Sequence, residues 1–322
     1  MTAICGFVNG LGEVKPTLTI FTSPKPFTNP HIAVIQRNAI RSWLALGDEV
    51  QVILLGAEAG VEEIARELNV SFIPKVARNS SGTPLISALF ALAREENNSP
   101  LLAYVNADVL LLPDFLESAK AIQGQAKEFL VVGQRWDLQV DALMDFSVGW
   151  QQRLQDECRQ NGKLHKATGS DYFIFPRDCF TSIPDFAIGR AGWDNWMLYE
   201  ARQRGWKLID ATAVIRVIHQ NHDYSHLPGG KPHYHLPETD ENVRLAGGKR
   251  HIFMLADANW QFGQKGLSHR QMTWLRFWRE VEIFPIVHLH SGWMGALFFW
   301  IFHPQKAYNE FRKNQSKQVT QE

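Results

Sequence analysis

Asn106-Ala107-Asp108 closes the apolar run LLAYVN at residues 101 to 106, and a carboxylate at the tip of a buried strand is well placed to hold a divalent cation. In open α/β sheets, ligands bind in the crevice beyond the carboxyl ends of the strands, where a rigid core presents polar tips. The same tripeptide also reads as a plain turn, with Asp108 capping the chain before the helix that Pro113 starts. His219 directly follows another apolar run, AVIRVI at 213 to 218, so Asp108 and His219 can converge at one sheet edge on one cation. Manganese accepts mixed carboxylate and imidazole ligands, whereas magnesium keeps more water and prefers oxygen, so the metal expected is Mn²⁺ or Mg²⁺. His222 and His226 stand four apart, a zinc spacing only on a helix. Asp223, Tyr224 and Pro228-Gly229-Gly230 argue against a helix there, so both are expected as hydrogen-bonding loop groups.

Further polar groups fall at other element ends. Thr22-Ser23-Pro24-Lys25-Pro26-Phe27 follows the first strand, offering hydroxyl and backbone groups to a base or ribose and Lys25 to a phosphate; an ordinary proline-stiffened loop explains it equally. Arg37, on the next helix, is a candidate anion contact or a solvated surface residue. Asn79, Ser80, Ser81, Gly82 and Thr83 precede a helix from Pro84, whose unpaired amides and partial positive charge suit a nucleotide cleft, although Thr83 also reads as an N-cap. Gly192-Trp193-Asp194-Asn195-Trp196 opens another helix, with Asp194 either a cap or a proton acceptor. Trp193 and Trp196 offer a flat face to a sugar ring or fill the core. No GxxxxGK[ST] or GxGxxG is present, so a P-loop or dinucleotide fingerprint is not supported.

These groups need a scaffold. From residue 17 to about 135, strands at 17–22, 49–55, 70–74, 101–106 and 128–133 alternate with helices at 30–46, 60–69, 84–97 and 113–125. That alternation predicts βαβ units and a mostly parallel sheet flanked by helices. A second section adds a helix at 141–161, a strand at 171–175, a helix at 193–204 and a return strand at 213–218. Residues 219 to 250 read as a long loop, rich in His, Gly and Pro.

At 322 residues the chain can bury a full core, and 33 basic against 33 acidic residues leave no global field for nucleic acid. Three cysteines without metal-type spacing suit a reducing compartment. The first sixteen residues show no unbroken apolar run, so no secretory signal is read and the cytoplasm is the expected compartment. Past residue 268 the chain is dense in Trp and Phe, and His288, His290, Ser291 and two glycines make 286–303 a poor transmembrane helix. A packed or interfacial helix is expected, and Lys306, Arg312, Lys313 and Lys317 after it suit a peripheral anchor on an anionic leaflet.

In their order, TSPKPF, NAD, GSDYFIF, GWDNWM and the histidine-led loop resemble the GT-A nucleotide-sugar glycosyltransferases over about residues 17 to 226. The resemblance implies a Rossmann-like GT-A fold with a C-terminal aromatic helical extension. It divides the chain into an N-terminal segment (1–16), a catalytic domain (17–226), an acceptor or lid region (227–267) and the extension (268–322). It further implies transfer of a sugar from a nucleotide-diphosphate donor to a saccharide, lipid or other hydroxyl acceptor. That family's Asp-any-Asp tripeptide, which holds metal and ribose, falls on Asn106, Ala107 and Asp108, with Asn106 in place of the first acid. Asp171 is implied at the donor sugar, and Asp194 as catalytic base in an inverting reaction or as a positioning group in a retaining one. Trp193, Trp196, His222 and Lys231 are implied on the acceptor and lid side. The competing readings are a nucleotide-sugar-binding protein without turnover, a sugar nucleotidyltransferase, and a membrane-associated scaffold. For the nucleotidyltransferase TSPKPF lacks the glycine-rich basic character.

Overall fold

A computed structural model describes residues 15–222 and 236–319. The first half alternates as expected: β1 (Leu18–Thr22), α1 (Pro30–Leu44), β2 (Val50–Leu55), α2 (Val61–Leu68), β3 (Ser71–Ile73), α3 (Ile86–Glu96) and β4 (Leu101–Val105). β1, β2 and β4 are almost wholly buried, which is why they read as continuous apolar runs rather than alternating ones. Asn29 caps α1 by accepting from the backbone amides of His31 and Ile32, and Pro30 takes the first turn where its missing N–H costs nothing.

The chain continues through β5 (Val109–Leu110), α4 (Asp114–Gln123), β6 (Phe129–Val132), β7 (Arg135–Leu138), α5 (Trp150–Asn161), β8 (Lys163–Leu164) and β9 (Tyr172–Pro176). After these come α6 (Trp193–Gln203), β10 (Lys207–Asp210), β11 (Val217–Gln220), α7 (Pro237–Leu245), β12 (Trp260–Gly263) and β13 (Gly266–His269). The expected helix at 141–161 begins only at Trp150. Ser147 folds back on Asp145 through its amide and hydroxyl, and Gly149 takes a left-handed φ of 83°, so the preceding turn cannot be helical.

Among the described residues one sheet has nine strands in the order β13-β12-β10-β6-β9-β4-β1-β2-β3. It is parallel except for β9, wedged antiparallel between β4 and β6, and the edge strand β13. This is the mostly parallel, helix-flanked α/β architecture expected. It runs beyond the boundary expected at 226, because β12 and β13 extend it past β10 and α7 occupies part of the expected loop. Apolar clusters lie on both faces: Phe21, Phe90, Phe175 and Trp193 belong to one, Trp43, Phe115 and Tyr172 to the other.

A small second sheet, β5-β11-β7-β8, forms where the chain leaves β4 and β6. β11 runs antiparallel to β5 and parallel to β7, and its register sets His219 opposite both Val109 and Asp137. That pairing positions the site. The aromatic C-terminal stretch forms α8 (Trp274–Val287), α9 (Gly292–Phe302) and α10 (Pro304–Val319). None of the described helices is long and apolar enough to cross a membrane.

Candidate metal and donor site

Asp108 lies in the tight turn between β4 and β5, closed by a 3.1 Å hydrogen bond from the Val109 amide to the Asn106 carbonyl. Helix α1 fixes the strand that follows: the Trp43 indole donates to the Val109 carbonyl at 2.9 Å, and the Ser42 hydroxyl accepts from the Leu111 amide at 3.0 Å. The same helix carries buried polar residues. Gln36 clamps the Lys25 backbone, accepting from its amide at 2.7 Å and donating to its carbonyl at 2.9 Å. Asn38 donates to Gln220, which itself donates to the Ile35 carbonyl at 2.7 Å, so the end of β11 is tied to the helix. Burying these amides is tolerable because each is hydrogen-bonded.

Three basic groups converge on the carboxylate. Asp108 Oδ2 lies 3.0 Å from His222 Nε2, 3.8 Å from His219 Nε2 and 3.9 Å from Lys25 Nζ. Lys25 Nζ also stands 3.5 Å from His222 Nε2. Each of Asp108, His219 and His222 offers a ligand atom, all within 4.8 Å of one another. Asp108 Oδ1 is buried and without a hydrogen-bond partner among the described residues.

Burial alone would raise the Asp108 carboxyl, but His219, His222 and Lys25 together hold it well below the ordinary carboxylate range. Burial lowers His219, against the upward pull of Asp108, and likewise lowers Lys25. An ionised carboxylate beside a neutral imidazole is the protonation state that metal ligation requires. A buried carboxylate with one orphaned oxygen and two imidazoles gathered on the other therefore fits a divalent cation, and the mixed donor set suits Mn²⁺ better than Mg²⁺.

Behind His219 stands a second layer. Its Nδ1 is 3.5 Å from Asp137 Oδ1, and Asp137 Oδ2 meets His165 Nδ1 at 2.7 Å. Arg135 bridges Asp137 at 2.9 Å and Asp171 at 2.7 Å, and Asn106 Nδ2 donates to the same Asp171 oxygen at 2.9 Å. His219 Nδ1 is itself buried without a hydrogen-bond partner among the described residues, so at this separation Asp137 acts on the ring through charge; a carboxylate that closes to hydrogen-bond distance behind a ligating imidazole fixes its orientation and tautomer.

Asp194 enters α6 just after Gly192, whose φ of 110° turns the chain sharply. Its carboxylate accepts from the Gly192 amide at 3.2 Å. Burial first, and the nearby Asp171 charge as well, push it up to about 6. Burial raises the Tyr104 phenol, and so do Asp108, Asp171 and Asp194, which sets these three carboxylates around one ring in β4.

The remaining sequence candidates scatter. Thr22 ends β1, buried beside the Tyr104 phenol, and Ser23 lies next to Gly56 at the tip of β2. Ala107 occupies the turn with Asp108. Asn79 and Thr83 hydrogen-bond Glu238 of α7, which also pairs with Arg190, so this loop docks on protein. Arg37 is not at the site: it pairs with Glu67 of α2 at 2.5 Å, two neighbouring helices placing opposite charges together. Asp171, expected at the donor sugar, accepts from Arg135 and Asn106 through one carboxylate oxygen, Oδ1. Trp193 and Trp196, considered for a sugar platform, are each 6% exposed. Trp193 packs edge-on against Tyr104 at 5.0 Å and Trp196 against Phe186 at 5.2 Å, so both serve the core. His222, expected on the acceptor side, sits in the cluster instead, because Asn221 is pinned to β7 and to His31 of α1. Lys231 and His226 lie outside the described residues.

Sequence reasoning missed Arg135, Asp137 and His165. The signal was present for two of them: Arg135-Trp136-Asp137 directly follows an apolar strand, as Asp108 does.

No protein-family model matches the chain, and no curated protein matches it. Among solved structures the chain is similar to a mannosyltransferase from Pyrobaculum calidifontis in complex with GDP-Man and Mn²⁺, at 13% identity and a TM-score of 0.41, over 63% of this chain and 56% of that one. It is similar to S. aureus TarS in complex with UDP-GlcNAc, at 11% identity and 0.44, over 71% of this chain and 65% of that one. Glucosyl-3-phosphoglycerate synthase from Mycobacterium tuberculosis, in complex with Mg²⁺ and UDP, is similar at 13% identity and 0.43, over 73% of this chain and 80% of that one. The chain thus spans less than two thirds of the length of the first two, at 56% and 65%.

Proposed function

We propose that this chain is a metal-dependent glycosyltransferase, moving a sugar from a nucleotide-diphosphate donor to an acceptor hydroxyl. The observation that carries the reading is Asp108 at the sheet's carboxyl edge, ionised, with one unpartnered oxygen and two imidazoles and a lysine gathered on the other. Asp108, His219 and His222 would hold the cation, Mn²⁺ in preference to Mg²⁺. A divalent ion bound there supplies Lewis-acid neutralisation of the leaving diphosphate. Asp137 orients the His219 ring, and Lys25, held by Gln36, offers a further positive charge to phosphate oxygens. Asp194, pushed up to about 6, takes the acceptor's proton as the new bond forms, the role a base needs in an inverting transfer. The acceptor on this reading is a saccharide, a lipid or another hydroxyl compound, and the working compartment is the cytoplasm.

One observation favours a binding protein without turnover. Asn106 stands where a second acidic residue would add charge for the metal, and its amide nitrogen is spent on Asp171. Release of free nucleoside diphosphate from UDP- and GDP-hexoses, with Mn²⁺ and with chelator, separates the two. Metal-dependent release, lost in Asp108→Ala with the fold intact, is the result expected. Donor binding without release selects the binding module, and binding of neither donor nor Mn²⁺ refutes the site.

A further inference from the structure

The C-terminal helices expose an apolar surface that the transfer chemistry does not use. α9, GWMGALFFWIF, is anchored on one face only. Gly295 is buried against α8, where an added Cβ would come within 2.2 Å of Ile286, and the Arg250 guanidinium lies 3.3 Å from the Phe299 ring centre. The opposite face carries Trp293, Leu297, Trp300 and Ile301, spaced i, i+4, i+7 and i+8, and these are 72%, 50%, 45% and 64% exposed. The hairpin is antiparallel: Trp278 near the start of α8 stands 5.9 Å from Phe302 at the end of α9. Exposed Trp274 and Phe277 therefore share an end with Trp300 and Ile301. A contiguous face of this kind marks an interaction site rather than ordinary surface.

We propose that this face of α8 and α9 lies in the interface of an anionic lipid bilayer. Charge supports a bilayer as the occupant. The acidic residues of the described hairpin and of α10 are all spent: Glu280 on Arg202 and Arg276, Glu282 on Arg279 and His303, and Glu310 on Arg250. Lys306 and Arg312 on α10, beside exposed Tyr308 and Phe311, are exposed and enter no ion pair among the described residues. The rim is thus cationic, the complement of an anionic leaflet. Tryptophan at both ends of an apolar segment suits the headgroup boundary, where an apolar ring with one polar N–H is at home. Eleven residues of helix span roughly 16 Å against an apolar core of about 30 Å, so α9 lies in the interface instead of crossing it. Phe277, Val281, Phe284 and Phe298, with Glu280 whose carboxylate is turned to Arg202 and Arg276, line a largely apolar groove between the helices, which suits acyl chain ends.

Flotation of the full chain with vesicles tests this, using phosphatidylcholine alone and phosphatidylcholine with phosphatidylglycerol. Binding to the anionic vesicles, weak on the neutral ones and reduced by salt, is expected. Trp293→Glu with Leu297→Glu should abolish it, and each of Lys306→Ala and Arg312→Ala should weaken it about fivefold. These positions are exposed, so an unchanged melting temperature verifies that the fold survives. Failure of the wild type to float with anionic vesicles, or flotation that the glutamate pair leaves intact, overturns the proposal. So does a stable dimer by light scattering that the same pair dissolves, which assigns the face to a second copy. None of these outcomes depends on glycosyl transfer, so the two proposals stand or fall separately.

Discussion

Asp194→Asn tests the assignment of the base in two independent ways, because burial has set its carboxyl about two units above the ordinary 3.8. If the ionised form accepts the acceptor's proton, the rate follows the ionised fraction, which for a group near 6 is about 0.9 at pH 7 and about 0.1 at pH 5. The wild-type rate should fall about tenfold between those values, whereas a carboxylate at 3.8 would lose almost nothing. Initial rates of nucleoside diphosphate release measure this, with Mn²⁺ kept saturating at each pH by calorimetric titration so that histidine protonation does not enter. Stability gives the second readout. A folded-state value raised above the unfolded one means that between pH 4 and 6 the folded chain keeps a proton the unfolded chain has released, so stability falls as pH rises through this window. Two units correspond to about 3 kcal/mol, fully adverse above pH 6. Replacing the charge by an isosteric amide should therefore raise the urea midpoint at pH 7.5 by the equivalent of about 2 kcal/mol, with little change at pH 4, while turnover falls at least about 100-fold. A rate flat to pH 4.5, or a variant less stable at pH 7.5, would make Asp194 a helix cap and remove it from the chemistry.

Asp108→Ala should abolish Mn²⁺ binding in calorimetry and leave the circular dichroism spectrum unchanged. Asp137→Asn, behind His219, should weaken Mn²⁺ affinity about 10- to 100-fold while donor binding in chelator is unaffected. Trp193→Ala should cost about 3–5 kcal/mol in urea unfolding, the loss of a core aromatic, with no selective rise in acceptor KM. Gly295→Ala should lower stability by about 1–3 kcal/mol, since its methyl meets Ile286, and hydrogen exchange should localise the loosening to α8 and α9.

The parallel core was legible because its strands are buried on both faces, so LTIFT, VQVILL and LLAYV carry their own signal. β10 was not, at four residues with Lys207 and Asp210 at its ends, and neither were the pairs β5 and β8, each two residues long. Such strands exist because neighbours offer them hydrogen bonds, which no local pattern records. The C-terminal aromatic stretch was legible as helix, but the split of its residues between a packed and an exposed face required Gly295 and Arg250 to be seen in place.

The site divides along the same line. Asp108 and His219 each end an apolar run, so strand-tip logic picks them out one at a time. What joins them is register: β11 slots between β5 and β7, and the pairing of His219 with Val109 and Asp137 sets the imidazole between two carboxylates. A shift of one residue would turn His219 to the other face and bring Ile218 or Gln220 there instead. Gln220 guards against that shift, since its amide is satisfied where Asn38 and the Ile35 and Asp108 carbonyls meet it, and an unpaired buried amide costs more than a strand pair this short returns. His222 follows from the same lock. Once Gln220 and Asn221 are fixed, the second residue past Gln220 is delivered to Asp108, and its ring closes on the carboxylate. Polar residues buried on α1, which the sequence presents as breaks in an amphipathic pattern, are thus the physical reason that a loop histidine becomes a candidate ligand.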